Sequence, residues 1–438
     1  MKINEEFFNR MKSILGDEFE AFKESLNNPI EKSIYVNENK ISVDDFKKIV
    51  NFCVDQIPYE KAGFYVDSEK KGRHSLHHAG AFYIQEPSAM FTINAHKFKG
   101  DEVVLDMCAA PGGKTIQIAN RIPNGVLVSN EFVKSRSEIL FSNVERMGLK
   151  NVIITNESPE NIADAYGNTF DVVLVDAPCS GEGMFRRGND VTKEWYPEIN
   201  EMCAKRQFEI LSQADKTLKQ NGILIYSTCT YSVLENENVV KEFMASFGYE
   251  LVNIDCKLTR GIGLEEVVRL YPHKVKGEGQ FVAVLKKKSE NENIPSSSQK
   301  LTNSKLTNDF MLKYLDIEEL GTFNNFVEYK NNSYFAPHKE LIKKRINYVS
   351  LGVRLGVVEG SRFEPHHNLF TAFGNNFKSK LRLDYRDEIT KKYLRGETFD
   401  VDMPDSFGAI LINDCSVGGF KISQGKFKNY YPKGLRNF

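Results

Sequence analysis

Nowhere in the 438 residues is there an apolar run near the roughly 18–20 residues that cross a bilayer, so no membrane-spanning role is expected. The stretch Met1–Phe22 has no apolar core and carries acids, so it does not read as an export signal. Cysteine is sparse, and its count of seven is odd, which excludes a disulfide framework. The expectation is a reducing, cytoplasmic compartment with free thiols. Cys53, Cys203, Cys256 and Cys415 read as small buried hydrophobes. An excess of charge is also missing, since 58 Lys and Arg face 59 Asp and Glu. Two nucleotide signatures are absent. The phosphate-loop pattern G-x-x-x-x-G-K-[ST] needs glycine at 108, where Cys108 stands, and Pro111 removes a backbone donor. No G-x-G-x-x-G occurs. His366 and His367 lack the Cys/His spacing of a zinc site, so no metal is expected.

What remains is an ordinary globular composition, 41% hydrophobic and 27% charged, long enough for two to three domains. Phe7, Phe8, Met11, Leu15, Phe19 and Phe22 predict one amphipathic N-terminal helix. Five short runs, at 102–107, 125–131, 151–155, 170–177 and 222–229, are apolar on successive residues. That is the mark of parallel strands covered on both faces. Helical patterns at 134–147 and 203–219 alternate with them, the second stopped by Gly222, and 279–288 reads as a last strand. The alternation predicts an α/β, doubly wound sheet. Residues 289–308 are polar and Ser/Asn-rich, as in a linker. Beyond it come a helical start, an aromatic strand pair near 323–335, and short Gly-turned strands over 351–438 that suggest a small barrel. The expected division is 1–85, 86–288, the linker 289–308, and 309–438. Residues 301–438 carry 21 Lys and Arg against 16 Asp and Glu, a net of +5 that fits a phosphate-binding surface.

Four segments carry chemistry. DMCAAPGGKT (106–115) sits where a strand becomes a helix, and Gly112 and Gly113 offer bare backbone at the mouth of the sheet. Glu131 ends the second strand, where an acid can accept from a ribose diol. VDAPCSGEGMF (175–185) places Asp176 and Cys179 across a Pro178 turn, with Phe185, Arg186 and Arg187 expected at the cleft's rim. YSTCTYSVLENE (226–237) puts Cys229 at the next strand's tip. Two thiols from consecutive strand ends would face one crevice, which points to catalysis.

DMCAAPGGKT, DAPCSGEGMF and STCTYS together resemble the NOL1/NOP2/Sun family of RNA cytosine-5 methyltransferases, and within it the bacterial small-subunit ribosomal RNA methyltransferase F group. GAFYIQEPSAM (80–90), RQFEILSQA (206–214), LYPHKVKGEGQFVAVL (270–285) and RFEPHHNLF (362–370) are further matches. The resemblance implies a Rossmann-like class I methyltransferase sheet with an α+β N-terminal RNA-binding region and a β-rich, PUA-like C-terminal domain. It implies S-adenosyl-L-methionine held by Cys108, Ala109, Ala110, Pro111, Gly112, Gly113 and Lys114, with Glu131, Glu157 and Asp176. Glu157 stands where aspartate is more usual, and Tyr35 where the family often has arginine.

The resemblance further implies that Cys229 is the nucleophile. Asp176, in its protonated form, would donate to ring nitrogen 3, and Cys179 would help release the product. A thiolate added to carbon 6 of cytosine turns the ring into an enamine, and carbon 5 can then attack a methyl donor. The expected partner is RNA, 16S ribosomal RNA or the small ribosomal subunit, bound by a monomer. The alternatives are a transfer-RNA cytosine-5 methyltransferase and a ribosome-assembly factor that binds RNA without turnover. A DNA cytosine-5 enzyme would use Cys179 as nucleophile, and an amino-group methyltransferase would want an aromatic residue there.

Overall fold

The computed structural model describes residues 3–67, 71–188, 192–193, 195–290, 297–316 and 325–436. Four strands, β1 (Ser33–Val36), β2 (Cys53–Gln56), β3 (Gly63–Val66) and β4 (Phe82–Ile84), form an N-terminal sheet ordered β2-β3-β1-β4. The predicted N-terminal helix is two, Glu5–Leu15 and Phe19–Ser25. Gly16, at φ 53°, turns the chain between them. Phe7, Met11, Phe19 and Phe22 are buried as expected, while Phe8 and Leu15 are only half-buried.

The central sheet has ten strands. β5 (Val103–Asp106), β6 (Val126–Asn130), β7 (Val152–Thr155), β8 (Phe170–Asp176) and β9 (Leu218–Thr228) are the five parallel strands expected from the apolar runs. Helices on both faces give the doubly wound fold. β10 (Tyr249–Leu251), β11 (Thr259–Gly261), β12 (Leu264–Leu270) and β13 (Gln280–Lys287) extend the sheet antiparallel beyond β9. The path is β11-β12-β13-β9-β8-β5-β6-β7, so order reverses between β5 and β8.

One sequence reading on this sheet is corrected. The helix before β9 runs Glu198–Thr217, and Gly222 does not stop it. Asn221, at φ 62°, and Gly222 lie inside β9, where the register shifts against β8. The strand expected at 279–288 is β13, the last before the linker in chain order, and β12 and β11 lie outside it in the sheet.

β14 (Phe326–Tyr329) and β15 (Asn332–Phe335) are the expected aromatic pair, of which positions 323 and 324 lie outside the described residues. β16 (Tyr348–Ser350) crosses back and pairs antiparallel with β7, joining the central sheet. β17 (Val353–Glu359) and β18 (Arg362–Pro365) complete a sheet with β14 and β15. β19 (Lys380–Leu383), β20 (Ser406–Ile412), β21 (Cys415–Ser423) and β22 (Lys426–Asn429) form another. The single small barrel expected over 351–438 is thus two four-stranded sheets, with the apolar helix His367–Phe373 packed on both β17 and β21. The linker reading also shifts. A helix begins at Lys305, and Ser298 and Thr302 bridge to Lys343 and Glu328, while 291–296 lie outside the described residues.

The three regions are fastened by buried polar contacts. Lys40 Nζ donates to Ala79 O (2.8 Å), Arg146 O (3.1 Å) and Ser416 O (2.7 Å), one carbonyl from each region. No helix among the described residues is long and apolar enough to cross a membrane.

Candidate active site

The carboxyl ends of β5, β8 and β9 converge where strand order reverses, the position at which open α/β sheets leave a crevice. A cleft of about 300 Å³ lies there. Cys108, Ala109, Ala110, Pro111, Gly113 and Lys114 form one wall, facing Asp106, Asp176 and Cys229. Tyr83, Gln85 and Glu86 close it from the N-terminal region, and Arg187, Glu278 and Gln280 from the other side. Gly112 caps the helix Gly113–Arg121 at φ 115° with no side-chain hydrogen bond. The first-turn N–H groups are therefore left for an anionic ligand. A Cβ on Gly113 would come within 3.1 Å of Gln85 and 3.2 Å of Tyr83, so the loop is seated tightly.

Asp176 Oδ2 accepts from Lys114 Nζ at 2.8 Å and Oδ1 from Ser227 Oγ at 2.6 Å. Without a base in the cleft, both Asp176 oxygens accept, and the donor in the pair with Lys114 is the ammonium. Burial opposes the Lys114 charge, but Asp176 outweighs it and raises the pKa. Asp106 Oδ2 accepts from Thr115 Oγ1 at 2.7 Å, and Oδ1 is buried without a partner. Burial pushes that carboxyl up to about 7 against the opposing Thr115 bond.

Cys179 and Cys229 are free thiols whose Sγ atoms stand 3.1 Å apart. Cys229 lines the cleft, with the Cys179 thiol in contact with it. The hydrogen bond with Cys229, then burial, push the Cys179 thiol well above its ordinary range. Sequence reasoning passed over what supports the pair. Glu235, fully buried, takes hydrogen bonds from both cysteine-bearing turns. Its signal in the sequence was an acid inside the quoted segment YSTCTYSVLENE, a few residues after Cys229.

Two acids stand at neighbouring strand ends, beside the cleft wall rather than on it. Glu131 is buried at the end of β6, accepting from Val133 N at 2.9 Å and standing 3.6 Å from Arg136, which itself donates to Ala110 O. Glu157 accepts from Asn347 N and Asn161 Nδ2, each at 2.7 Å, so its carboxylate fastens the approach to β16. The rim reading holds for Arg187, which lines the cleft, and changes for Phe185. Phe185 is buried against Phe7 and Trp195. Arg187 is clamped by Glu278 at 2.9 and 2.7 Å, and Arg186 donates to backbone carbonyls. His366 Nδ1 lies 3.2 Å from Glu145 and takes the Asn368 N–H, at the start of a helix.

The open helix N-terminus, the orphaned Asp106 oxygen and the acid at the end of β6 fit a ligand that carries both a carboxylate and cationic groups. Sheet order and site together define a class I methyltransferase that depends on S-adenosylmethionine. Comparison with known proteins refines this. A family model described as 16S rRNA methyltransferase RsmB/F matches residues 94–286. Models for the N-terminal domain of 16S rRNA methyltransferase RsmF and for the methyltransferase RsmF PUA domain match 3–87 and 380–437. The ribosomal RNA small subunit methyltransferase F of Enterobacter sp. (strain 638) is 35% identical, over 98% of this chain and 95% of its own. Its counterpart in Aliivibrio salmonicida (strain LFI1238) is 37% identical, over 96% and 93%. The crystal structure of NSun6 from Pyrococcus horikoshii with SFG superposes with a TM-score of 0.59 at 25% identity, over 66% of this chain and 99% of that one. The chain belongs to the ribosomal RNA small subunit methyltransferase F family.

Proposed function

We propose that the protein methylates carbon 5 of a cytosine in 16S ribosomal RNA through a covalent bond between Cys229 Sγ and carbon 6 of the base. The observation that carries this reading is the thiol pair, 3.1 Å apart at the ends of adjacent strands, with Cys229 lining the cleft. S-adenosylmethionine supplies, when bound, a methyl group on a sulfonium centre. Residues 108–114 would hold it, with Glu131 at its ribose. Glu157, committed to Asn347, contributes through the backbone rather than to the adenine. The target base leaves its stack to enter the cleft. Cys229 adds to carbon 6 as a thiolate, and the ring electrons pass to carbon 5, which takes the methyl group. Asp176, protonated once the base is bound, donates to ring nitrogen 3, and Lys114 Nζ, hydrogen-bonded to it at 2.8 Å, offsets the negative charge arising there. The hydrogen on carbon 5 then passes to solvent as a proton, its electrons restore the ring double bond, and the sulfur departs with the carbon–sulfur pair. Cys179 assists that departure.

The division 1–85, 86–288 and 309–438 around a short connection assigns RNA contact to the two flanking regions. The C-terminal excess of positive charge supports phosphate contact there. A monomer working in the cytoplasm on the small subunit or its RNA completes the reading. Replacing the two cysteines one at a time tests it. Cys229→Ala should abolish methylation and any protein–RNA adduct. Cys179→Ala should methylate and then stall as an adduct that survives a denaturing gel and vanishes in the double variant. An inverted pattern would make Cys179 the nucleophile. Normal methylation by both would end the covalent mechanism.

A further inference from the structure

Three acids in neighbouring turns lie buried beside the thiol pair, and two of them are neutralised. Glu182 meets Arg10 at 2.5 Å and Glu237 meets Arg269 at 2.5 Å. Glu235 meets no cation among the described residues. Its Oε1 accepts from Ser180 Oγ (2.5 Å), Asn200 Nδ2 (2.6 Å) and Thr230 Oγ1 (3.3 Å). Its Oε2 accepts from Ser180 N (2.9 Å) and Gln207 Nε2 (2.9 Å). Each oxygen therefore receives at least one N–H, which has no acceptor capacity, so the bonding pattern is that of a carboxylate; burial raises its pKa, and the hydrogen bonds from Ser180 and Asn200 oppose that rise.

The donors place this charge with respect to the thiols. Ser180 directly follows Cys179 and Thr230 directly follows Cys229, and their hydroxyls meet at 2.8 Å. Gln207 Nε2 also donates to Pro178 O, directly before Cys179. Both residues flanking Cys179 are thus hung on Glu235 or its partner, whereas Cys229 is tied by one longer bond. On the far side stands Lys114, hydrogen-bonded to Asp176 at the cleft.

We infer that Glu235 is a positioning residue that sorts the two thiols: its uncompensated charge keeps Cys179 protonated as a hydrogen-bond donor to Cys229 Sγ, which carries the anion. The inference rests on the covalent mechanism proposed above and adds to it the reason the cysteines are not interchangeable. A neutral Cys179 S–H stabilises the attacking thiolate and then the departing one, and no proton changes hands between the sulfurs. The other groups that face the pair do not cancel the polarity. Lys114 with Asp176 and Arg187 with Glu278 act from the cleft side. Glu182 with Arg10, the Cys203 thiol and the Tyr226 hydroxyl, which donates to Glu235 O, lie on the buried side. The raised pKa of Cys179, to which the Glu235 charge contributes after the Cys229 bond and burial, agrees with this order.

The test is thiol labelling of the full-length protein with iodoacetamide across pH, read at each cysteine by mass spectrometry without RNA. In the wild type, Cys179 should label with a midpoint above the ordinary thiol value of about 8.5. Glu235→Gln keeps the size and removes the charge, so Cys179 should label about tenfold faster at pH 8. Thr230→Val removes the 3.3 Å bond and leaves the charge, so Cys179 should stay at its wild-type rate. With RNA and cofactor, Glu235→Gln should accumulate the covalent adduct, because the departing thiolate loses its donor. If Glu235→Gln slowed both cysteines equally, Glu235 would be structural only and the inference would fall. Should that variant not fold, the wild-type profile decides alone: a Cys179 midpoint at or below about 8.5 overturns it. Failure of the covalent mechanism reads differently, as a wild-type enzyme that methylates RNA without any Cys229 adduct while the labelling pattern stands.

Discussion

Truncating Phe7 to alanine should release the N-terminal helices from the active site without unfolding the central sheet. Phe7 is fully buried, with its ring 4.9 Å from Phe185, 5.7 Å from Phe8, 6.0 Å from Trp195, 6.3 Å from Phe22 and 6.5 Å from Tyr231. Phe185 and Tyr231 belong to the segments that follow Cys179 and Cys229. A Phe→Ala change in such a site costs about 3–5 kcal/mol, from lost transfer energy and the cavity left behind. Taking about 4 kcal/mol, the population in which residues 5–25 open locally rises roughly a thousandfold. Hydrogen exchange followed by mass spectrometry reads this directly. Protection over 5–25 should fall by about three orders of magnitude, while β6 and β7 keep theirs. Methyl transfer should fall with it, since both cysteine-bearing segments lean on this cluster. Unchanged protection over 5–25 would refute the reasoning, and so would a loss spread evenly through β6 and β7, because then the cluster would not be a separable unit.

Asp106 should leave a pH signature. Burial holds its folded pKa at about 7, above the ordinary carboxylate value, so the fold favours the neutral acid and loses stability as pH rises toward 7. Between pH 5 and 8, Asp106→Asn should therefore gain about 3 kcal/mol relative to the wild type, measured by denaturant unfolding at both pH values; no relative gain would mean the carboxyl is ionised throughout. Glu131 and Glu157 should separate in cofactor binding. Glu131→Ala should weaken S-adenosylmethionine by about tenfold or more in calorimetry, as loss of a charged hydrogen-bond acceptor does. Glu157→Ala should barely change that affinity but should loosen exchange protection at 347–350, and an equal loss of affinity in both variants would show that Glu157 does serve the adenine.

Much of this site was legible because the information was local. β5 to β9 are apolar on successive residues since helices cover both faces of a parallel sheet, and their turn-rich ends carry Asp176, Cys179 and Cys229. Where reading failed, the deciding partner was distant in sequence. Gly222 resembles a helix stop, but Thr217 already ends the helix because Leu218 is drawn into pairing with Phe170. Asn347, which arrives with β16, bonds the Glu157 carboxylate across 190 residues, a contact no local pattern announces. The C-terminal strands are short and Gly-turned as in a small barrel, yet the helix His367–Phe373 divides them by burying Leu369, Phe370 and Phe373.

The acids beside the thiols show why such misses concentrate around function. In sequence, Glu182, Glu235 and Glu237 are three equivalent letters in polar segments. Their chemistry is set by which cation reaches them. Arg10 comes from the N-terminal helix and Arg269 from β12, each across a long stretch of chain, and each cancels one charge. Glu235 receives hydrogen bonds alone. A buried carboxylate held by neutral donors keeps its field, and in a poorly screened interior that field acts strongly on a thiol one residue away from its donor. Composition and motif spacing can place two cysteines at one crevice, but the asymmetry between them depends on where arginines from other elements fail to reach, which only the assembled fold decides.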